Sequence, residues 1–348
     1  MTTAPIAGRQ IAPPRPPSPG ARILPRRSLA SMMAQAIAAG DSVAVVGPKK
    51  AGKTSSFAFG APRPFFIFTD RGGDAVLPAS FADKVKPDAW DTLPTDREPP
   101  TSIMGALRGL LEEEHPYQTV VIDTIDRAQI LLWTWICAKH GVTSIEEVGG
   151  GFGKGFIAAL EQINEMLSIL FQLAERRGMN WIIIGHQEAK SGNDPSGNEY
   201  ERWQMSLNQK SAGAILGAVN TILFAEPQVE TKAEKKGAQT IRRGQQTGVT
   251  RAIVRSKQGI EAGSRWLLPP DFLLSWAVYE QEKASGEALR ERLYTYLPTL
   301  DLATRAEVDT YLGKHGWSRA AVEQVITGLG GTITDTTTTE QNSETQEN

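Results

Sequence analysis

Nine consecutive residues of this 348-residue chain have the types and the spacing that hold the phosphates of a nucleotide. Gly47, Gly52, Lys53 and Thr54 fill every fixed position of the pattern G-x-x-x-x-G-K-[ST]. The glycines let backbone N–H groups face the phosphates, the lysine reaches the β- and γ-phosphates, and the threonine hydroxyl binds Mg²⁺. The nucleotide-binding residues expected from this stretch are Gly47, Pro48, Lys49, Lys50, Ala51, Gly52, Lys53, Thr54 and Ser55.

The same short pattern arises by chance in proteins that bind no nucleotide, so its surroundings must decide. The Val-rich run at Val43 predicts a strand before the loop, and the residues after the loop are compatible with a helix. The N-terminal end of such a helix is positive and favours phosphate. A second acidic strand end lies about seventy residues further on, and this context favours a nucleotide site.

Two aspartates follow apolar runs that predict buried strands. Asp123 ends the run Thr119–Ile122, where an aspartate holds Mg²⁺, usually through water. Its alternative role is to cap the helix that follows. Asp70 ends the run Phe65–Thr69, at the strand end where α/β sheets place their ligands. We expect Thr54 and Asp123 to form the metal site.

A third strand end carries His186 and Gln187, after the apolar run Trp181–Gly185. Polar residues at this position can touch the γ-phosphate or the attacking water and report hydrolysis to the loop beyond. The alternative for His186 is an ordinary hydrogen-bonded histidine. We predict nucleotide-sensing roles for both residues.

The elements that must position these residues alternate between strands and helices. Unbroken apolar runs are typical of parallel strands that are covered on both faces. A helix is predicted over Thr101–Glu114, another from Phe156, and further strands at Val219–Phe224 and Val249–Val254. The pattern predicts a doubly wound α/β fold with a mostly parallel twisted sheet flanked by helices.

Composition divides the chain into segments. Residues 1–27 are rich in proline and arginine and predict a disordered arm, and the acidic, low-complexity residues 331–348 predict a disordered tail. Between them we expect a nucleotide-binding domain over residues 28–275 and a small C-terminal helical appendage over residues 286–330.

Composition also excludes several classes of protein. A hydrophobic content of 40% suffices for a buried core, and the single cysteine, Cys137, excludes an intramolecular disulfide. The longest apolar stretch, Ala212–Ala225, is too short to span a membrane, and the N-terminus lacks the apolar core of a secretory signal. We expect a cytoplasmic protein with no membrane partner.

Three segments are candidates for contact with a polyanion. Residues 228–258 carry eight bases against two acids, and residues 188–210 predict a long polar loop that contains Tyr200, Arg202 and Trp203. A glycine cluster at 149–155 surrounds Lys154. The alternatives are a solvated basic hairpin for the first segment, disorder for the long loop and a plain flexible connection for the glycine cluster.

The order GPKKAGKT, FIFTD, YQTVVIDTID, GGGFGKG and WIIIGHQEAK resembles the RecA-like P-loop ATPases of the phage nucleotide-binding protein group, over about residues 40–270. That group includes single-strand annealing ATPases related to the RecA/RadA recombinases. Asp70 stands where these proteins carry a catalytic glutamate, and Gln187 matches the glutamine that couples γ-phosphate to a DNA loop. The resemblance implies that Lys257 and Arg265 reach the nucleotide of a neighbouring subunit. Asn220 stands where relatives often carry aspartate.

Together these features predict an ATPase that uses Mg²⁺, acts on single-stranded DNA in recombination or annealing, and forms a homo-oligomer. The catalytic residues expected are Lys53, Asp70, Asp123 and Gln187. A GTPase would need an N/T-K-x-D segment, and the nearest match, at Thr231, lacks the aspartate. A small-molecule kinase would need an acceptor pocket. A nucleotide-gated assembly factor with little or no hydrolysis is the remaining alternative.

Overall fold

One β-sheet runs through the residues that the computed structural model describes, which are 39–70, 72–193, 199–236, 239–255 and 259–330. The predicted arm, the first residues of the predicted nucleotide-binding domain, and the tail lie outside these residues. The strands are β1 (Ser42–Gly47), β2 (Pro64–Phe68), β3 (Lys84–Val85), β4 (Thr119–Asp123), β5 (Asn180–Asn193), β6 (Glu199–Met205), β7 (Thr221–Lys236), β8 (Gln239–Ile253), β9 (Gly263–Ser264) and β10 (Asp271–Leu273).

The strand order is β10-β8-β7-β1-β5-β4-β2-β3, with β6 paired to β5 and β9 paired to β7. β1 is parallel to β5 and to β7, and the series continues with parallel β5–β4, β4–β2 and β2–β3 pairs. The pairs β5–β6 and β7–β8 are antiparallel. The predicted mostly parallel sheet is confirmed. Because its central strands are parallel, their carboxyl ends lie side by side at the same end of the strands.

Alternate residues of β1 face two separate hydrophobic cores. Ala44 and Val46 pack under the helices α1 (Ile103–Glu112), α2 (Ile125–His140), α3 (Lys154–Arg177) and α4 (Gln209–Ala218). Val43 and Val45 pack on the other face, with Phe57. Because both faces are covered, the central strands are apolar without alternation, as the sequence predicts.

Three helices follow the sheet: α5 (Trp276–Tyr296), α6 (Leu302–His315) and α7 (Arg319–Gly328). They share a core of their own that includes Leu293, Leu312 and Val322. The predicted start of the first helix, at Gly286, was wrong. The helix begins at Trp276, after the N-cap residue Ser275, and Trp276 packs against Phe57 with ring centroids 5.4 Å apart. No described helix is long and apolar enough to cross a membrane.

One further prediction of local structure was wrong, and another holds for a short segment only. The segment predicted as a long loop over residues 188–210 is mostly the β5–β6 hairpin, whose polar residues give no hydrophobic strand signal. The helix after the phosphate loop is short, with a π-helical turn over Lys53–Phe57 and a 3₁₀ turn over Ala58–Gly60. Pro62 and Pro64 follow immediately, and prolines prevent continuation of a helix.

Candidate nucleotide-binding site

The phosphate loop closes the carboxyl end of β1, at the centre of the sheet. Gly47 is the last residue of β1, and a Cβ there would lie 2.7 Å from the carbonyl oxygen of Ala225 in β7. Only glycine allows the two strands to approach this closely. Gly52 has a φ of 78°, in the left-handed region that favours glycine. Both glycines of the sequence pattern therefore shape the loop.

Lys53 is buried inside the curl of this loop, with 5% of its surface exposed. Its Nζ donates hydrogen bonds to the carbonyl oxygens of Gly47 at 3.0 Å and Pro48 at 2.6 Å. Burial lowers the pKa of Lys53 to about 8, although the charges of Asp123 and Asp126 act in the opposite direction. The loop thus holds one ammonium group at the position where phosphate is expected.

Thr54 and Asp123 meet beside this lysine. The Thr54 hydroxyl donates to Oδ2 of Asp123 at 2.7 Å. Burial raises the pKa of Asp123 to about 6, although the hydrogen bond from Thr54 and the charge of Lys53 lower it. A hydroxyl and a carboxylate side by side are oxygen ligands of the kind that Mg²⁺ prefers, so these residues fit the predicted metal site.

The alternative role of Asp123, capping the next helix, is not what its side chain does. The N-cap of α2 is Thr124, and the side-chain hydrogen bond of Asp123 comes from Thr54. Thr69 holds the backbone at this point, because its hydroxyl donates to the Thr124 carbonyl at 2.6 Å and accepts from the Thr124 N–H at 2.9 Å. These bonds fix the end of β4 against the end of β2.

His186 lies next to Gly47 in the β1–β5 register, so the end of β5 adjoins the start of the phosphate loop. Its side chain is paired with Asp126, in the first turn of α2, at 2.9 Å between Nδ1 and Oδ2. Burial by itself raises the pKa of Asp126, but the hydrogen bonds and the proximity of His186 outweigh it and lower the pKa.

A cavity of about 440 Å³ lies between the loop and these strand ends. Its size is typical of a small-molecule site. The lining residues that the sequence predicts are Lys49, Lys50, Ala51, Gly52, Lys53, Thr54, Ser55, Asp70, Asp123 and His186. The lining residues that it does not predict are Gly72, Gly73, Val76, Thr124 and Ile184.

Asp70 is exposed at the rim of this cavity, just beyond the end of β2. The N–H of Thr69 donates to the Asp123 carbonyl at 2.8 Å, which extends the β2–β4 pairing up to Asp70. The predicted base and the predicted metal ligand therefore share one cavity.

Gln187 does not line the cavity. It opens the β5–β6 hairpin opposite Met205, and its Oε1 is buried without a hydrogen-bond partner among the described residues. Neighbouring residues of a strand point to opposite faces, so only one of His186 and Gln187 faces the loop. The sensing role of Gln187 stays a prediction.

Arg265 lies near the amino ends of the central strands, whereas its own phosphate loop lies at their carboxyl ends. Its guanidinium donates to Oδ1 of Asn220 at 3.1 Å and to the Gly217 carbonyl at 3.2 Å, beside the amino end of β7. Arg265 does not line the cavity beside its own phosphate loop, and its contact with the nucleotide of another subunit stays a prediction. Lys257 lies outside the described residues.

Sequence reasoning missed Asp126, the partner of His186. The available signal was its place three residues after Asp123, at the start of a predicted helix, where an acid is ordinary. The pairing itself joins residues that are 60 positions apart, so no local pattern could reveal it.

Comparison with known proteins gives one family match. The family model AAA_24, described as an AAA domain, matches residues 39–266. Among solved structures, the crystal structure of the RadB recombinase is similar, with a TM-score of 0.31 and 16% sequence identity over 65% of this chain and 86% of that chain. A similarity this distant supports no argument about function. No curated protein matches the sequence.

Proposed function

This chain belongs to the AAA domain family of P-loop NTPases, and from that premise we propose that it binds Mg·ATP and hydrolyses it. The observation that carries the proposal is the hydrogen bond between Thr54 and Asp123 beside the buried ammonium of Lys53. The RecA-like α/β fold brings one hydroxyl, one carboxylate and one cation from separate segments to the same cavity.

Each of these groups has a distinct task in the proposed site. Lys53 would exchange the carbonyls of Gly47 and Pro48 for phosphate oxygens, since a charged acceptor is the stronger partner for an ammonium group. Thr54 and Asp123 would hold Mg²⁺, which neutralises phosphate charge when it is bound. Asp70, exposed at the rim, is the proposed acceptor of the proton from the attacking water.

The test measures ATP binding and phosphate release in purified protein. Lys53→Ala should abolish binding or turnover without unfolding the protein, because the side chain contacts loop carbonyls rather than either hydrophobic core. Asp70→Asn should keep ATP affinity and reduce turnover by about 10²-fold. Lys139→Ala is the matched control, since this exposed lysine lies in the last turn of α2 and does not line the cavity.

The outcomes separate the alternatives. A folded Lys53→Ala protein with normal ATP affinity and turnover contradicts the site. Wild-type protein that binds ATP without turnover favours the nucleotide-gated assembly factor, whereas preferential binding of GTP in competition favours a GTPase. Normal hydrolysis by Asp70→Asn would move the water-activating role to another residue.

We further propose that the protein acts on single-stranded DNA, in the kind of recombination or annealing that the sequence resemblance implies. Two observations support this. The β5–β6 hairpin continues directly from His186 at the cavity, so a change at the nucleotide can reach it through one strand. The β7–β8 hairpin contains Arg242 and Arg243 within a segment rich in bases, and such segments attract phosphate backbones.

Some bases near these hairpins are already neutralised within the chain. Lys190 pairs with Glu188 at 2.5 Å, and Arg202 pairs with Glu261 at 2.9 Å. Arg251 forms an ion pair with Asp271. We therefore place the proposed phosphate contacts on Arg242 and Arg243 of β8.

Binding of labelled single-stranded DNA should weaken steeply with salt, because bound lysines and arginines release counterions. Replacing Arg242 and Arg243 together by alanine should reduce the slope of log K against log salt by about 1.4, at about 0.7 for each phosphate that is no longer neutralised. The control removes the same charge at exposed Arg97 and Arg176. Absence of binding at low salt with ATP, together with turnover that ignores DNA, would contradict the proposal.

We also propose a homo-oligomer in which Arg265 contacts the nucleotide of a neighbour. Arg265 lies near the amino ends of the strands, whereas its own cavity lies at their carboxyl ends, and this position supports a contact between subunits. Light scattering with a non-hydrolysable ATP analogue measures the assembly. A monomer at every protein concentration would contradict this proposal.

A further inference from the structure

Phe152 extends into solvent from a loop of glycines. Its side chain is 99% exposed, and it lies between the 3₁₀ turn over Ile145–Gly150 and the first residue of α3, Lys154. Its φ of 55° is a left-handed conformation that is rare and unfavourable for a bulky side chain. Exposure of a phenyl ring to water is also unfavourable. The ring therefore adds nothing to the stability of the isolated chain.

A cleft of about 420 Å³ separates the C-terminal helices from the sheet, and we call it the C-terminal cleft. It lies between the end of β8, β9 and the turn from α6 to α7, and its lining includes Trp266, Leu268 and Trp317. Trp317 is 50% exposed, and its ring stacks on Tyr294 of α5 with centroids 6.3 Å apart. The cleft thus presents accessible apolar surface, and its volume admits an aromatic ring.

The loop and the cleft lie at opposite ends of the strands. Nε1 of Trp266 donates to Asp41, the residue before β1, so the cleft lies at the amino ends. α3 also ends there, because the Ala174 carbonyl accepts from the Gly40 N–H at 3.1 Å. With 24 residues, α3 is about 36 Å long, roughly twice the length of the six β5 residues that pair with β1, so its first turn lies beyond the carboxyl ends. Phe152 cannot reach the cleft of its own chain.

The charges around the loop and the cleft have opposite signs. Glu146 and Glu147 are exposed in the turn that precedes Phe152, and the Glu146 carboxylate has no partner among the described residues. The described residues that line the cleft include no acid, and they include Arg255 and Arg319. Arg319 is paired with two glutamates of its own chain, whereas Arg255 is exposed and has no partner among the described residues. Opposite charges of this kind guide two surfaces together and fix their register.

We infer that Phe152 of one subunit inserts into the C-terminal cleft of its neighbour and packs on Trp317, while Glu146 of the first subunit pairs with Arg255 of the second. The inference rests on the proposed homo-oligomer and adds the contact that joins its subunits head to tail. Because the two surfaces differ, the contact can repeat from one subunit to the next. Arg265 lies at the same end of the strands as the cleft, so one neighbour would contact both.

Sedimentation velocity without DNA, with Mg²⁺ and a non-hydrolysable ATP analogue, measures self-association. Phe152→Ala and Trp317→Ala should each weaken it by about 10- to 100-fold, the factor that corresponds to burial of one aromatic side chain. Neither side chain belongs to a hydrophobic core, so both variants should fold. Leu302→Ala is the matched control, since Leu302 is 88% exposed on the C-terminal helices but does not line the cleft.

Charge reversal tests the ion pair. Glu146→Arg or Arg255→Glu alone should weaken self-association, and the two together should restore it, because opposite charges then meet again with their places exchanged. The combination of Arg255→Glu with Glu112→Arg is the control, since Glu112 is exposed at the end of α1, and it should restore nothing. Loss without restoration overturns the inference. Normal self-association of Phe152→Ala with weaker binding of single-stranded DNA also overturns it, and assigns the ring to nucleic acid.

Disulfide trapping identifies the two surfaces directly. In a Cys137→Ser background, which removes the single natural cysteine, a mixture of the Glu146→Cys and Arg255→Cys proteins should form a covalent dimer with one subunit of each kind under mild oxidation. A mixture of Glu112→Cys and Arg255→Cys should not. Absence of the first dimer in a protein that assembles overturns the inference and leaves the proposed homo-oligomer intact. Wild-type protein that is monomeric at every concentration contradicts both.

Discussion

Burial shifts the pKa values of Lys53 and Asp123 toward one another. The ammonium loses hydration inside the phosphate loop, which lowers its pKa to about 8. The carboxyl group loses hydration at the end of β4, which raises its pKa to about 6. In each case burial disfavours the charged form. Both groups carry the charge that Mg²⁺ and phosphate require only in the interval between these values.

We predict a bell-shaped dependence of kcat/KM for ATP on pH, since this quantity reports the ionisation of the free enzyme. As pH falls through about 6, Asp123 gains a proton and loses its capacity to hold Mg²⁺. As pH rises through about 8, Lys53 loses its proton and its attraction for phosphate.

Steady-state rates from pH 5 to 9 at saturating Mg²⁺ measure the profile. Asp123→Asn should have lower activity and should lose the acid limb, because the amide does not titrate, while the alkaline limb remains. Thr134→Val, on the exposed side of α2, is the control and should keep both limbs. A flat profile between pH 5 and 9 in wild-type protein would contradict the assignment of these two groups.

At the scale of elements, α5 joins the C-terminal helices to the sheet domain through a close contact. Gly286, in the middle of this helix, faces the backbone of Leu267, and a Cβ at this position would lie 2.3 Å from the Leu267 carbonyl oxygen. The glycine costs helix propensity but allows the helix to pack against the segment before β10.

Gly286→Ala should destabilise the protein by roughly 1–3 kcal/mol, because overpacking outweighs the gain in helix propensity of about 1 kcal/mol. Gly213→Ala is the matched control, since Gly213 lies inside α4 with nothing within 4 Å of the added Cβ. That variant should be more stable by up to about 1 kcal/mol. Urea unfolding midpoints measure both changes, and a stabilised Gly286→Ala protein would contradict the packing argument.

At the scale of the whole molecule, the two ends of β1 have different tasks. The carboxyl end carries the phosphate loop, and the residue before the amino end, Asp41, connects separate parts of the described structure. Its buried carboxylate accepts from the Tyr279 hydroxyl at 2.6 Å and from Nδ2 of Asn220 at 3.0 Å, and pairs with Lys283 at 2.9 Å.

These partners hold α5 and the start of β7 against the central strand. Burial by itself raises the pKa of Asp41, but the hydrogen bonds from Tyr279 and Asn220 and the charge of Lys283 outweigh it and lower the pKa. The carboxylate is therefore ionised at neutral pH, and the packing of α5 on the sheet includes an ion pair as well as a hydrophobic contact.

The sequence by itself determined the parts of this protein that depend on short spacing. The phosphate loop is one continuous stretch, so its pattern predicts Lys53 and Thr54 at the cavity, where the structure has them. Asp123 and Asp70 were predictable because each follows an apolar run. Parallel strands place their carboxyl ends side by side, so the residues that follow them lie close together. The unbroken apolar character of those runs also predicted a sheet covered on both faces.

Only the tertiary structure decided which side chains meet across long separations. The pairing of Asp126 with His186, and the choice of His186 over Gln187 as the residue facing the cavity, depend on the register of β5 against β1. The contact of Trp276, the first residue of α5, with Phe57 joins residues that lie more than 200 positions apart in sequence. Propensity and periodicity describe residues that are close along the chain. Strand register and packing depend on contacts between segments that are distant in sequence, which local patterns do not reveal.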